Sequence, residues 1–118
     1  MVYPVPEMGI DPYRYLFRNY VLNKTLFKQS IPIFSGSYDV YKNRHKLIFE
    51  ILDSIENPNI YRVFPHSYFC DKQINDRCVA NDENNFFYYD DNHLSLQGSK
   101  LVVDGIMKEI EKIELKFN

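Results

Sequence analysis

Histidines, cysteines and closely spaced acids are the side chains of this chain whose chemistry stands out. His93 has the strongest setting, in Asp90-Asp91-Asn92-His93-Leu94-Ser95. The three-residue offset lets a turn carry the Asp90 carboxylate to one imidazole nitrogen. The other nitrogen then stays open to take a proton from a nucleophile. A carboxylate that orients a general-base histidine and stabilises its cation is the acid–base half of a hydrolytic triad. Asp-x-x-His is a short pattern, however, and an acidic turn that caps a helix produces it equally well.

The other two histidines read differently. His45 falls in register with Tyr41 and Ile48 on one helix stripe and reads as a half-buried packing residue. His66 follows Pro65 just past a strand end. Such ends host ligands in α/β folds, but a surface-loop histidine is the simpler reading. Cys70 and Cys78 enclose the polar loop 71–77. Three readings stand: a disulfide, free thiols, or a metal pair with His66 as third ligand. An even pair closing a short loop fits a disulfide in an oxidising compartment, while the spacing matches no common zinc pattern. No metal and no cofactor is expected.

The elements that must position these residues alternate. Residues 1–6 form a short extended segment, stopped by Pro4 and Pro6, which cannot donate to a central ladder. It reads like the end of a buried strand whose first half is absent. Asp11-Pro12 resembles an N-cap and N1 pair ahead of an amphipathic helix over 13–26, and 27–36 is a connector. The clearest helix spans 37–56, capped by Ser37, with Tyr41, Ile48, Leu52 and Ile55 in one stripe and Ile51 beside it. Residues 60–64 (Ile-Tyr-Arg-Val-Phe) read as a strand that Pro65 closes. Helix, short turn and strand in that order suggest a parallel sheet. Residues 66–85 read as polar loop, and Val79-Ala80 pairs with 86–89 as a small hairpin around the 82–85 turn. A last helix over 96–113, capped by Ser95, turns Val102, Val103, Ile106, Ile110 and Ile113 to the core. Its closing charges pair across one turn.

Composition narrows the classes. The chain has 118 residues, with 45% hydrophobic and 25% charged. That is one modest domain at most, and it excludes wholesale disorder. A net charge of −2 disfavours a nucleic-acid binder, which carries a basic face. No apolar run reaches the ~18–20 residues of a membrane span, and no signal peptide is visible at Met1.

The string from Tyr88 to Ser99, with Asp90, His93, Leu94, Ser95 and Gly98 in place, resembles the last block of the SGNH hydrolase superfamily. More narrowly, it is similar to the SGNH domain fused behind the acyltransferase-three membrane domain of bacterial O-acetyltransferases. Pro4-Val5-Pro6-Glu7-Met8 is similar to that family's proline-glutamate segment, and Cys70 and Cys78 stand where it has a short cysteine pair. The resemblance covers nearly all of the chain. It implies a flavodoxin-like α/β/α sandwich with a Ser-His-Asp triad that moves an acyl group to or from envelope carbohydrate. Carried over, His93 is the base and Asp90 its orienting carboxylate, with Asp91 as the alternative. Glu7 and Asp11 follow a strand end near the implied site and read as loop carboxylates.

One departure is large. The family's nucleophile lies in a Gly-Asp-Ser block and its oxyanion hole in two further blocks; none of the three occurs in this sequence. Residues 1–118 therefore read as the C-terminal half of an SGNH domain. The expected partners are an acyl donor, a carbohydrate acceptor, and an upstream segment with the serine and a membrane acyltransferase domain. The expected place is the periplasmic side of the inner membrane, or the cytoplasm for the fragment by itself. The competing reading is a non-catalytic α/β fragment or binding module from a truncated gene.

Overall fold

The computed structural model describes residues 1–21 and 31–118. Its elements are α1 (Pro12–Leu16), β1 (Ser35–Ser37), α2 (Tyr38–Asp53), α3 (His66–Phe69), β2 (Arg77–Val79) and α4 (Leu96–Phe117). A π-helical turn, Phe17–Val21, continues α1. The remainder of the helix expected over 13–26, the side chains of Tyr20 and Val21, and the first part of the expected connector lie outside the described residues.

Local chemistry starts α1, α2 and α4 where the sequence places a cap. Asp11 accepts the Arg14 amide at 3.0 Å ahead of Pro12. Ser37 accepts the Val40 amide at 3.3 Å and Ser95 the Gly98 amide at 3.1 Å. Each bond satisfies a donor that the first helical turn leaves without a partner.

Two helix faces depart from expectation. In α2 the buried row is Tyr41 and His45, with Phe49 and Leu52 half-buried; Ile48 and Ile51 point outward, and Ile55, expected in the same helix, is exposed beyond its end at Asp53. The helix carries apolar residues on two sides, and the aromatic side wins. Tyr41 packs on His66 and Phe49 on Tyr3 and His66 at centroid separations of 5.0–5.7 Å, with Phe64 completing the cluster against Tyr3 and His66, and aromatic burial outweighs that of a smaller aliphatic chain. In α4 Val102 is buried and Ile106 and Ile113 partly so, whereas Val103 and Ile110 face outward. Gly98 and Gly105 take their place on the inner face. A Cβ on Gly98 would run into the Phe87 carbonyl, and one on Gly105 into the Tyr68 hydroxyl.

The sheet is smaller than expected. Val63 pairs with Val2 in parallel, through Tyr3 N to Val63 O at 3.0 Å and Val63 N to Met1 O at 2.8 Å. That one pair is what forms of the expected 60–64 strand and parallel sheet, because Pro4, Pro6 and Pro65 withhold donors just beyond it. The two-stranded sheet is antiparallel instead. β1 lies beside β2 with Gly36 opposite Cys78, and Arg77 fastens it by donating to Ser35 Oγ at 3.0 Å and Ser35 O at 2.6 Å. Residues 66–85 thus hold a short helix and a strand where loop was expected. The hairpin forms as read: Phe87 N bonds Ala80 O at 2.8 Å, and Asp82 Oδ1 accepts the Asn84 and Asn85 amides. Phe69, Cys70, Cys78, Val79, Phe87, Tyr88 and Val102 form the core between these elements.

Candidate active site

The turn that carries Asp90 and His93 is held from both ends. Ser95 N bonds Phe87 O at 2.9 Å, Tyr89 N bonds His93 O at 2.7 Å, and Tyr88 stands opposite Leu94. The chain therefore folds back on itself over 88–94. Tyr88 turns inward and is buried. Its hydroxyl donates to Pro6 O at 2.6 Å, and Met8 N donates to Asp91 O at 2.7 Å. The 4–8 segment is the floor on which the turn sits. Tyr41 secures that floor from α2 by donating to Pro4 O at 2.7 Å.

Within the turn, Asp90 acts as its own scaffold. Oδ1 accepts the amides of Asn92 at 3.0 Å and His93 at 2.7 Å, an Asx-type turn. Oδ2 lies 2.8 Å from His93 Nδ1. The Asn92 amide, followed by those contacts from His93, holds the Asp90 carboxyl below its ordinary value, so it is anionic at neutral pH. A carboxylate accepts and does not donate, which places a proton on Nδ1 of His93 and, in the neutral ring, leaves Nε2 with its lone pair. The His93 side chain is 74% exposed and that of Asp90 33%. The imidazole is thus open to an incoming group while the carboxylate bonded to it is half-covered. The carboxylate bonded to the imidazole is Asp90; Asp91 contributes its backbone carbonyl to Met8.

The remaining candidates are placed as follows. His45 is buried and its Nδ1 lies 3.0 Å from Tyr41 O, a packing position. His66 is not a surface-loop residue: it starts α3, half-buried among the rings of Tyr38, Tyr41, Phe49 and Phe64. Cys70 and Cys78 form a disulfide, which removes both as thiolate ligands and with them the metal reading that included His66. Glu7 pairs with Arg44 at 2.6 Å and Asp11 caps α1, so both loop carboxylates have structural partners. Tyr88 and Met8 hold the turn in place; the sequence has them only as members of the two family-like strings and gives neither a positioning role, because their partners lie more than 80 positions away.

A family model described as "SGNH domain (fused to AT3 domains)" matches residues 1–108. The chain belongs to this SGNH family. No curated protein and no solved structure matched it. Membership agrees with the mixed helix-and-strand architecture, an α/β SGNH-type fragment, and with an acyl-transfer or ester-hydrolysing class of function in general. It also associates the chain with a membrane protein, although no helix among the described residues is long and apolar enough to cross a membrane.

Proposed function

We propose that this chain supplies the acid–base pair of an SGNH-type O-acyltransferase or esterase acting on cell-envelope carbohydrate, and that residues 1–118 are the C-terminal part of that domain. The observation that carries the reading is the 2.8 Å bond from His93 Nδ1 to Asp90 Oδ2 beside an open Nε2. The nucleophile serine and the oxyanion donors come from an upstream segment or a separate chain, together with a membrane acyltransferase domain.

The chemistry runs in two halves. His93 Nε2 takes the serine proton as Oγ attacks the acyl carbonyl. The proton then passes to the departing alkoxide, leaving an acyl-serine. In the second half His93 takes a proton from water or a sugar hydroxyl, which attacks the acyl carbon, and returns it to the serine. Asp90 stays ionised throughout; it holds the ring and stabilises the imidazolium. The disulfide supports placement in an oxidising compartment such as the periplasm.

The test begins with the DNA ahead of Met1, translated for a frame encoding Gly-Asp-Ser and membrane spans. Produced together, the two segments should hydrolyse or transfer acetyl esters, and His93→Ala should lower kcat on the order of 10⁶-fold. This chain by itself should show no such activity. Turnover indifferent to His93→Ala would overturn the proposal in favour of a non-catalytic α/β fragment or binding module.

A further inference from the structure

A second recess lies away from the His93 turn, between α2 and the start of α3. Its volume is about 330 Å³, at the small end of the ~300–1,000 Å³ of ligand pockets. Tyr38, Tyr41, Phe49 and His66 line it with ring surface, and Lys46 and Glu50 stand at its rim. The two rim side chains matter because they are open. Among the described residues no ion pair or side-chain hydrogen bond takes up the Lys46 ammonium or the Glu50 carboxylate. Lys42 is held by Asp39 at 2.7 Å and Asp53 by the Tyr3 hydroxyl at 2.6 Å.

His66 adds an acceptor. The single proton of the Tyr41 hydroxyl is committed to Pro4 O at 2.7 Å. The 3.4 Å contact between that oxygen and His66 Nδ1 is then made by Nδ1–H, which leaves Nε2 unprotonated. Burial pushes the His66 pKa down and keeps the ring neutral at pH 7.

These features select a ligand chemistry. Aromatic faces carry negative potential and attract the polarised C–H faces of a flat saturated ring. One open cation and one open carboxylate cancel in charge, while together they offer donors and acceptors. The recess is too small for a long chain. We propose that it binds one uncharged pyranose unit, stacked on the ring wall and hydrogen-bonded by Lys46, Glu50 and His66. This site is separate from the Asp90–His93 turn and does not depend on the reading given to that turn.

The test is a titration of the 118-residue chain with methyl β-glucopyranoside, read on the histidine and tyrosine ring signals by carbon–proton NMR. The expected result is a saturable shift of the His66, Tyr38 and Tyr41 signals, with a dissociation constant in the millimolar range for a ligand this small, while the His93 signal does not move. The double variant Lys46→Met/Glu50→Gln, at two exposed positions, should keep the dispersed spectrum and weaken binding at least about tenfold. Three outcomes would overturn the proposal: no saturable shift, shifts at His93 in place of His66, or phenol binding with no binding of the glycoside. An undispersed spectrum overturns it as well, since the pocket would then not form on this chain.

Discussion

Tyr88 donates its hydroxyl proton to the carbonyl oxygen of Pro6 at 2.6 Å, across 82 positions of sequence. Burial raises the Tyr88 pKa well above that of a free tyrosine, so the donor is never lost in the working pH range. The bond is the main side-chain tie between the 4–8 floor and the His93 turn. Tyr88→Phe keeps the ring and leaves the Pro6 oxygen without its donor. The variant should lose about 1–3 kcal/mol of unfolding free energy, read as a lower urea midpoint with an unchanged slope. The backbone bond from Met8 to Asp91 should still hold the turn, so the variant remains folded. A midpoint equal to that of the parent would show that the tie carries no stability.

The two inner glycines of α4 should respond unequally to alanine. At Gly98 the new Cβ meets the Phe87 carbonyl, a backbone group that also accepts Ser95 N. Backbone must move, and overpacking of this kind costs about 1–3 kcal/mol or more. At Gly105 the obstacle is the far end of the Tyr68 side chain, which can swing aside. Alanine also favours a helix over glycine by about 1 kcal/mol, which offsets the strain there. Gly98→Ala should therefore be clearly destabilised, and Gly105→Ala should stay within about 1 kcal/mol of the parent. Thermal or urea unfolding of the pair checks the order; the reverse order would contradict the packing described.

The caps and the pair at the site were legible because their partners are neighbours. Asp11, Ser37, Ser95 and the Asp82 turn bond amides two or three residues on, and Asp90 meets His93 over the same short span. Longer-range choices were not legible. Helix α2 is apolar on two sides, and partners far away in sequence, Tyr3, Pro4 and His66 among them, decide that Tyr41 and Phe49 turn inward. β1 pairs with β2 over 42 positions, through a segment whose small and polar residues carry no strand pattern. On α4 the counted apolar stripe pointed to Val103 and Ile110, while close approach of Phe87 and Tyr68 required glycine. A hydrophobic count cannot register a residue chosen for what it lacks.

The proton on His93 should be found on Nδ1. Free imidazole side chains favour no such assignment by themselves; here the anionic Asp90 at 2.8 Å imposes it. Long-range nitrogen–proton NMR of the chain at a pH where His93 is neutral should show the Nδ1–H form. Asp90→Asn offers an amide that can either donate or accept, so the assignment should become mixed. If His93 is the base of the proposed enzyme, the same substitution in the assembled protein should lower kcat on the order of 10⁴-fold, as for a triad base left in the wrong tautomer. A neutral His93 with its proton on Nε2 would remove the basis for that effect.

Stability should depend on pH in two separate windows, set by opposite kinds of group. His66 is half-buried, and desolvation lowers its pKa below the ordinary 6.5. The unfolded chain thus binds this proton more readily than the folded one. The contribution is fully present above about pH 6.5 and is lost as pH falls from there through the lower folded value. Asp82 and Asp90 are carboxylates held down chiefly by backbone amides, those of Asn84 and Asn92 first. Their contribution is present above the unfolded value of about 3.9 and is lost as pH falls through their folded values. Urea midpoints measured from pH 8 to pH 3 should therefore fall first below about pH 6.5 and again below about pH 4. His66→Gln, which cannot take up the proton, should flatten the upper fall and leave the lower one. The Asp82→Asn/Asp90→Asn variant should flatten the lower fall and leave the upper. An upper fall that persists undiminished in His66→Gln would place its origin in another group.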